Sequence, residues 1–209
     1  MTISLLLKKL RLDGKDFIVD TELKKYCESA GIGYAAAVKY LLSNGHLVRI
    51  FRGIFYVKTL EEEELGKTRY SPYELVAKGL ELKGVKNWYF GLNTALKLNN
   101  MSHEYYAIDY VINDRIFRSN PMKISGYKFK FIKLATKLTE FGVVADGVRY
   151  SDLEKTVLDF IYTWRYNGVP TNKILLDVGE WSNRLSKNKL LNYSKTYPKT
   201  VGTIVEEIT

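Results

Sequence analysis

The chain has 209 residues, 46% of them apolar, with 32 Lys plus Arg against 23 Asp plus Glu for a net charge of +9. That length accommodates one large domain or two small ones, and the apolar share supports a buried core, which excludes wholesale disorder. A single cysteine, Cys27, and two distant histidines, His46 and His103, exclude an intrachain disulfide framework and a multi-cysteine zinc site, so no metal and no cofactor is expected.

The first apolar run covers only Ile3 to Leu7, and no later stretch approaches the roughly 18 uninterrupted apolar residues of a membrane span. The expected location is the cytoplasm, with no membrane partner. Charge is unevenly shared: residues 1–59 hold ten basic against five acidic side chains, and residues 60–209 hold 22 against 18. A basic excess concentrated in the first third makes a polyanion a plausible partner for that part.

In chain order, Ile3, Leu6, Leu7 and Leu10 recur at helical spacing, with Lys8, Lys9 and Arg11 between them. Asp13-Gly14 supplies a turn, and Phe17 to Val19 reads as a short extended stretch. Asp20 or Thr21 can cap a second helix carrying Lys24 and Lys25, in which Leu23, Tyr26 and Cys27 share one face, so Cys27 is read as a small core residue. Ala30-Gly31-Ile32-Gly33 breaks it. A third helix runs from about Tyr34 to Ser43, with Ala35, Val38, Leu41 and Leu42 as its expected buried stripe, and Asn44-Gly45 ends it at a left-handed cap. Leu47–Phe51 and Ile54–Val57, joined at Arg52-Gly53, predict a β-hairpin.

Helix, helix, glycine turn, helix and basic hairpin is the order of a winged helix-turn-helix, in which a helix enters the DNA major groove and the hairpin wing follows the backbone. The candidate DNA-binding residues are Tyr34, Lys39, Tyr40 and Ser43 on the third helix and Arg49, Arg52 and Lys58 on or beside the wing. The third helix is alanine-rich and short of base-reading Arg, Asn and Gln, so modest sequence specificity is expected. Residues 61–64 are four consecutive glutamates, read as the start of an acidic linker over 61–70 that separates a domain of residues 1–60 from one of residues 71–209.

The second domain opens with Ser71-Pro72-Tyr73-Glu74, a capping box with Pro at the first helical position. A second helix is expected over Tyr89–Leu98. Tyr105 to Ile112 predicts a strand. Tyr127 to Phe131 alternates aromatic and lysine residues, a strand with one apolar face and one basic face, and Lys123, Lys128, Lys130 and Lys133 are candidates for that basic face. Short strands at Phe141–Val144 and Val148–Tyr150 precede a firm helix over 152–164, opened by an expected capping box at Ser151–Glu154 and striped with Leu153, Val157, Phe160, Ile161 and Trp164. Beyond it, 174–185 is the best helix candidate. The class is α+β: a winged helix-turn-helix, then a mixed α+β domain with an antiparallel sheet and flanking helices.

No phosphate-binding loop, zinc-protease or nucleophile-elbow motif occurs. Asp109 and Asp114 are the nearest thing to a nucleotidyltransferase metal pair, but their spacing is loose and they are read as solvated surface carboxylates; Asp159 is read as a structural hydrogen-bonding group. No catalytic residue is assigned and the chain is not expected to be an enzyme.

The stretch GVRYSDLEKTVLDFIY, residues 147–162, resembles a segment of the AbiEi-type antitoxins of abortive-infection systems, whose pattern runs GVRIATPEKALLDLLY. Trp88–Leu98, Asp109–Leu134 and the hairpin Arg52–Val57 are similar to that family in the same order, so the likeness spans about residues 1–165. The C-terminal tail, past about residue 165, lies outside the likeness. The resemblance implies a repressor of its own operon that binds inverted repeats through the winged helix. It also implies a C-terminal domain that counteracts a nucleotidyltransferase-like toxin without a stable complex, a type IV system. The expected partners are double-stranded operator DNA and, indirectly, a cognate toxin, and the chain is expected to be a monomer or weak homodimer. The alternatives are a protein-interaction winged helix with an incidental basic surface, or a cryptic nucleotidyltransferase-like enzyme.

Overall fold

Leucines at helical spacing build the core of the N-terminal part. The computed structural model describes residues 2–209. Leu6, Leu7 and Leu10 of helix α1 (Ile3–Leu12) pack with Leu23 and Cys27 of α2 (Asp20–Ala30) and with Val38 and Leu41 of α3 (Tyr34–Ser43). Cys27 is buried in that cluster, as its helical spacing implies. Both later helices stop on left-handed glycines. Gly31 takes φ 67°, and Gly45 takes φ 73°. In each case two backbone N–H groups past the helix end fold back onto its last carbonyls: Gly31 to Glu28 and Ile32 to Cys27, then Gly45 to Leu42 and His46 to Leu41. Ala35 lies exposed rather than in the expected buried stripe, and Ala37 takes the buried position, because the α3 face against the core is centred on Ala37, Val38 and Leu41.

Strands β1 (Phe17–Val19), β2 (Leu47–Phe51) and β3 (Ile54–Val57) form an antiparallel sheet in the order β1-β3-β2. The β2–β3 hairpin turns at Arg52-Gly53, where Gly53 has φ 75°, and a bulge shifts the register between Arg49 and Phe51.

The four glutamates do not form a linker. They lie in helix α4 (Leu60–Glu64), capped by a reciprocal box in which the Thr59 hydroxyl accepts from Glu62 N and the Glu62 carboxylate accepts from Thr59 N. Acidic groups in a first helical turn are favoured by the exposed N–H groups there, which outweighs the local repulsion. The Ser71 box opens α5 (Pro72–Leu82) as expected, with Ser71 N donating to Glu74 and Glu74 N to Ser71. This helix packs on β2 through Gly79: a Cβ there would lie 2.5 Å from Ile50 Cγ2 and 2.7 Å from the Phe51 ring. The first compact unit therefore runs to Gly84 and includes Lys123–Tyr127, rather than ending at residue 60.

The second unit, Val85–Met122 with Lys128–Thr209, begins with strand β4 (Trp88–Phe90) and helix α6 (Leu92–Leu98) where a single helix was expected. Gly91 separates them, and a Cβ at this position would meet Ile112 at 2.5 Å. Strands β5 (Asp109–Asn113), β6 (Met122–Ile124), β7 (Tyr127–Lys133), β8 (Val143–Asp146) and β9 (Val148–Ser151) complete a six-stranded sheet in the order β6-β7-β5-β4-β9-β8. The sheet is mixed, not antiparallel: β4–β5 and β8–β9 are antiparallel, whereas β5–β7 and β4–β9 are parallel. The chain as a whole is α+β.

Helix α7 (Leu153–Tyr166) starts one residue later than the expected capping box. Ser151 ends β9, and Asp152 is the cap, accepting from Lys155 N at 2.9 Å. Glu154 turns away and accepts instead from Ser186 N at 2.9 Å. Three more helices follow, α8 (Thr171–Gly179), α9 (Lys187–Ser194) and α10 (Lys199–Ile208), in place of the single segment 174–185. Val157, Leu158 and Ile161 of α7 join Ile174, Leu190, Val201, Ile204 and Val205 over Tyr89 and Ile112 of the sheet.

Inside this core lies an ion pair with no exposed surface. Lys155 Nζ is 2.7 Å from Asp159 Oδ1. Tyr197 OH accepts from Lys155 and donates to the same oxygen at 2.7 Å, and Tyr89 OH donates to Asp159 Oδ2 at 2.8 Å. The ammonium sits within 5.1 Å of the ring centroids of Tyr89, Phe141 and Tyr197. Burial pushes the pKa of Lys155 down, against the pull of Asp159, and burial followed by the neighbouring carboxylate pushes both tyrosines well above their ordinary value. Asp159 is thus the structural hydrogen-bonding group that its place in the helix suggested.

Two substitutions test these arguments. Gly79→Ala gains about 1 kcal/mol of helix propensity but forces a methyl into Ile50 and Phe51, so a net loss of about 1–2 kcal/mol is expected by urea unfolding. Lys155→Met should cost about 3–5 kcal/mol by leaving a buried carboxylate without its cation, and adding Asp159→Leu should recover much of it. A double variant no more stable than Lys155→Met would contradict the pairing.

Candidate nucleic-acid interface

Helix α3 presents Ala35, Ala36, Lys39, Tyr40 and Ser43 to solvent, with Tyr34 half-buried at its start. Gly33 precedes it and no side chain caps it. The first intrahelical bond is from Ala37 N to Gly33 O, so the N–H groups of Tyr34, Ala35 and Ala36 have no partner within the helix. The two alanines leave room for another backbone to approach that end.

Cations from three other places surround it. The Lys24 ammonium of α2 lies 5.3 Å from the Tyr34 ring centroid. Arg49 of β2 is exposed, with its guanidinium 5.7 Å from the Phe55 ring. Burial pushes the Tyr34 hydroxyl up in pKa, Asp20 adds to this and Arg49 opposes it, so both charged groups act on that ring. Asp20 ties the hairpin turn to the same place: its N–H donates to Gly53 O at 2.8 Å, and its carboxylate lies against Gly53, next to exposed Arg52. Asp20 is also 3.9 Å from Lys24. Lys24, Tyr34 and Arg49 therefore gather around the α3 N-terminus, Arg52 lies in the turn that Asp20 holds, and Lys39 and Tyr40 continue along the exposed face of α3. Lys24 is absent from the sequence-derived set, because no local spacing links it to a ring ten residues later across a turn.

Two candidates lie elsewhere or are otherwise engaged. Lys58 follows β3 at the end opposite Arg52, about 20 Å away along an extended strand. Its N–H donates to His46 O and its carbonyl accepts from Arg11 Nε, and it lines a cleft of about 210 Å³ with Arg11, Lys15 and Asp16. The Ser43 hydroxyl donates to Tyr40 O of its own helix at 3.0 Å.

The base of α3 is held by the glutamates of α4. Glu63 accepts from Arg11 of α1 and lies 2.6 Å from His46 Nδ1, just past the end of α3. Glu62 is 7% exposed and accepts from Tyr56 OH, Arg69 N and Thr59 N. Burial pushes its carboxyl pKa up, but the bonds from Tyr56 and the two backbone N–H groups outweigh this and leave it below the usual value.

In the second unit the expected basic face is divided. Along β7, Lys128, Lys130 and Ile132 point to one side of the sheet, and Tyr127, Phe129, Phe131 and Lys133 to the other, because strand side chains alternate. Lys123 belongs to the first unit. Asp109 is not a solvated surface carboxylate: it is 9% exposed and accepts from the Thr94 hydroxyl at 3.2 Å. Asp114 is half-buried and accepts from Asn87 at 3.1 Å. Asp109 opens β5 and Asp114 follows its last residue, about 16 Å away along the strand, against about 4 Å between the metals that a shared two-metal site brackets. No group of three or more His, Cys, Asp or Glu poised for a metal occurs among the described residues, and none of their helices is long and apolar enough to cross a membrane.

No family model and no curated protein matches this chain. A solved structure similar to it is that of the Rv2827c protein from Mycobacterium tuberculosis, 13% identical, with a TM-score of 0.60 over 98% of this chain and 75% of that one. At that identity the likeness establishes a shared fold and nothing more.

The depressed pKa of Glu62 sets a pH dependence. A carboxylate that holds its charge more tightly when folded adds stability above its unfolded pKa, about 4.3, and that stability is lost as the pH falls through the lower folded value. Glu62→Gln should therefore be less stable than the parent at neutral pH, and the gap should narrow below about pH 4 in thermal melts. A gap that stays constant from pH 7 to pH 3 would contradict the assignment.

Proposed function

We propose that the chain is a non-catalytic, cytoplasmic DNA-binding repressor whose first unit is a winged helix-turn-helix, with α3 as recognition helix and the β2–β3 hairpin as a short wing. The observation that carries this is the convergence of Lys24 and Arg49 on Tyr34 at the uncapped N-terminus of α3, with exposed Arg52 in the hairpin turn that Asp20 holds. An exposed helix N-terminus with free N–H groups favours phosphate, the flanking cations add counterion release, and exposed Lys39 and Tyr40 can reach base edges once α3 enters the groove. Asp20 is the acidic group in this neighbourhood, and it sits behind the hairpin turn, where it fixes the wing.

We further propose an AbiEi-type antitoxin role, repressing its own operon and counteracting a toxin. Its support is the segment of residues 147–162. This segment forms β9 and most of α7 and holds both Lys155 and Asp159 of the buried pair, so the family-like residues coincide with those that organise the second unit.

Fluorescence anisotropy with a duplex covering the chain's own promoter and a scrambled duplex, across a salt series, tests the DNA reading. Promoter-preferring binding that weakens steeply with salt is expected. Arg49→Ala and Arg52→Ala should each weaken binding to both duplexes and lower the slope of log K against log salt by about 1. Lys58→Ala should have the smaller effect, given its place at the far end of β3. Unchanged affinity in the Arg49 and Arg52 variants would refute the interface.

A further inference from the structure

The second unit carries a cationic surface that the duplex-binding proposal does not use. The loop after β5 holds Arg115, Phe117 and Arg118, all exposed, with Phe117 at 65%. A phenylalanine so exposed gains little from folding, so its setting matters. The loop is not loose. Asn113, fully buried, accepts from Arg115 N and Ile116 N through Oδ1 and donates through Nδ2 to Ile116 O at 2.9 Å and Ile132 O at 3.2 Å. Arg118 N donates to Phe131 O at 3.2 Å, and the Lys130 ammonium caps Ser119 O. Both ends of the loop are thereby fastened to β7, with Phe117 held between two arginines and Lys130 alongside. Lys133 is the register partner of Asn113. Among the described residues, Arg115, Arg118, Lys130 and Lys133 form no ion pair.

An exposed aromatic ring on a fastened loop, with an arginine on either side of it in the chain and Lys130 on the adjoining strand, is the combination that single-stranded nucleic acid requires. Cations take the phosphates, and a ring offers a stacking face to a base freed from pairing. A duplex keeps its bases stacked inside and gives such a ring nothing to stack on. An acidic protein would meet the charges but has no particular use for the ring. We propose that the loop Asp114–Ser119 and the adjoining β7 form a binding site for single-stranded nucleic acid, with one base stacked on Phe117 and neighbouring phosphates on Arg115, Arg118 and Lys130. This site is separate from the α3 interface and does not rest on it.

The test uses the full chain and fluorescein-labelled U12, dT12 and a 12-base-pair duplex in anisotropy titrations at 50–300 mM salt. U12 or dT12 should bind, and preference between them identifies RNA or DNA as the ligand. Phe117→Ala should weaken single-strand binding about five- to hundredfold and leave duplex binding unchanged. Phe117→Leu keeps the apolar surface without the aromatic face, so it should also weaken binding, which separates stacking from mere coverage. Arg115→Ala with Arg118→Ala should lower the single-strand salt slope by about 1.4. Arg49→Ala should affect the duplex alone. Circular dichroism melts check that each variant is folded; since these side chains are exposed, no shift is expected. No binding of either strand at 50 mM salt, full binding by Phe117→Ala, or an equal loss of duplex and single-strand binding in that variant would overturn the proposal.

Discussion

The second unit is organised around a charge that water cannot reach. A lysine and an aspartate with no exposed surface are stable inside a protein only if their remaining hydrogen-bonding capacity is met. Here that requirement draws three parts of the chain together. Helix α7 supplies both charges one turn apart, β4 supplies Tyr89, and the segment before α10 supplies Tyr197. Aromatic rings pack around the ammonium where aliphatic groups would leave it less well compensated. The seating of α7 against β4 and the position of the segment before α10 both follow, since moving either would leave a buried ion short of a partner.

The first unit solves a related problem with glutamates. Four in a row would repel one another if left as a solvated linker. Placed at the start of α4 they are divided by role: Glu62 turns inward to three donors, Glu63 joins Arg11 and His46, and Glu61 and Glu64 remain exposed. This fixes the C-terminal end of α3 through His46 while Asp20 fixes the hairpin turn near its N-terminal end. The cations proposed to meet DNA are thus carried on a frame held at both ends, so little ordering would remain to oppose binding. Phe117 and its flanking arginines follow the same logic in the other unit, with buried Asn113 holding the loop.

The local features of the fold were legible in the sequence because they depend on neighbours within about four residues. The stops at Gly31 and Gly45, the box at Ser71-Pro72-Glu74, the buried side of Cys27 and the alternation in β7 all appear where spacing puts them. A local pattern gives way where it meets a tertiary demand. Ser151 and Glu154 have capping-box spacing, yet Ser151 is held in β9 and Asp152 takes the cap, leaving Glu154 free for Ser186. Trp88–Phe90 sits in front of a helical run but is drawn into a strand by its pairing with β5 and β9.

The sequence by itself determined the class of the protein, most helix boundaries, the basic bias of the first third and the third helix with its hairpin. These are set by backbone propensity, periodicity and charge, which act along the chain. Only the tertiary structure decided the mixed direction of the six-stranded sheet, the inward turn of Glu62, the inclusion of α5 in the first unit, and the gathering of Lys24 with Tyr34 and Arg49. The reason is range: Tyr89 and Asp159 are 70 positions apart, and no spacing rule reaches that far. Which distant groups meet is settled by burial, when an unpartnered charge or hydroxyl would cost more than the rearrangement that satisfies it.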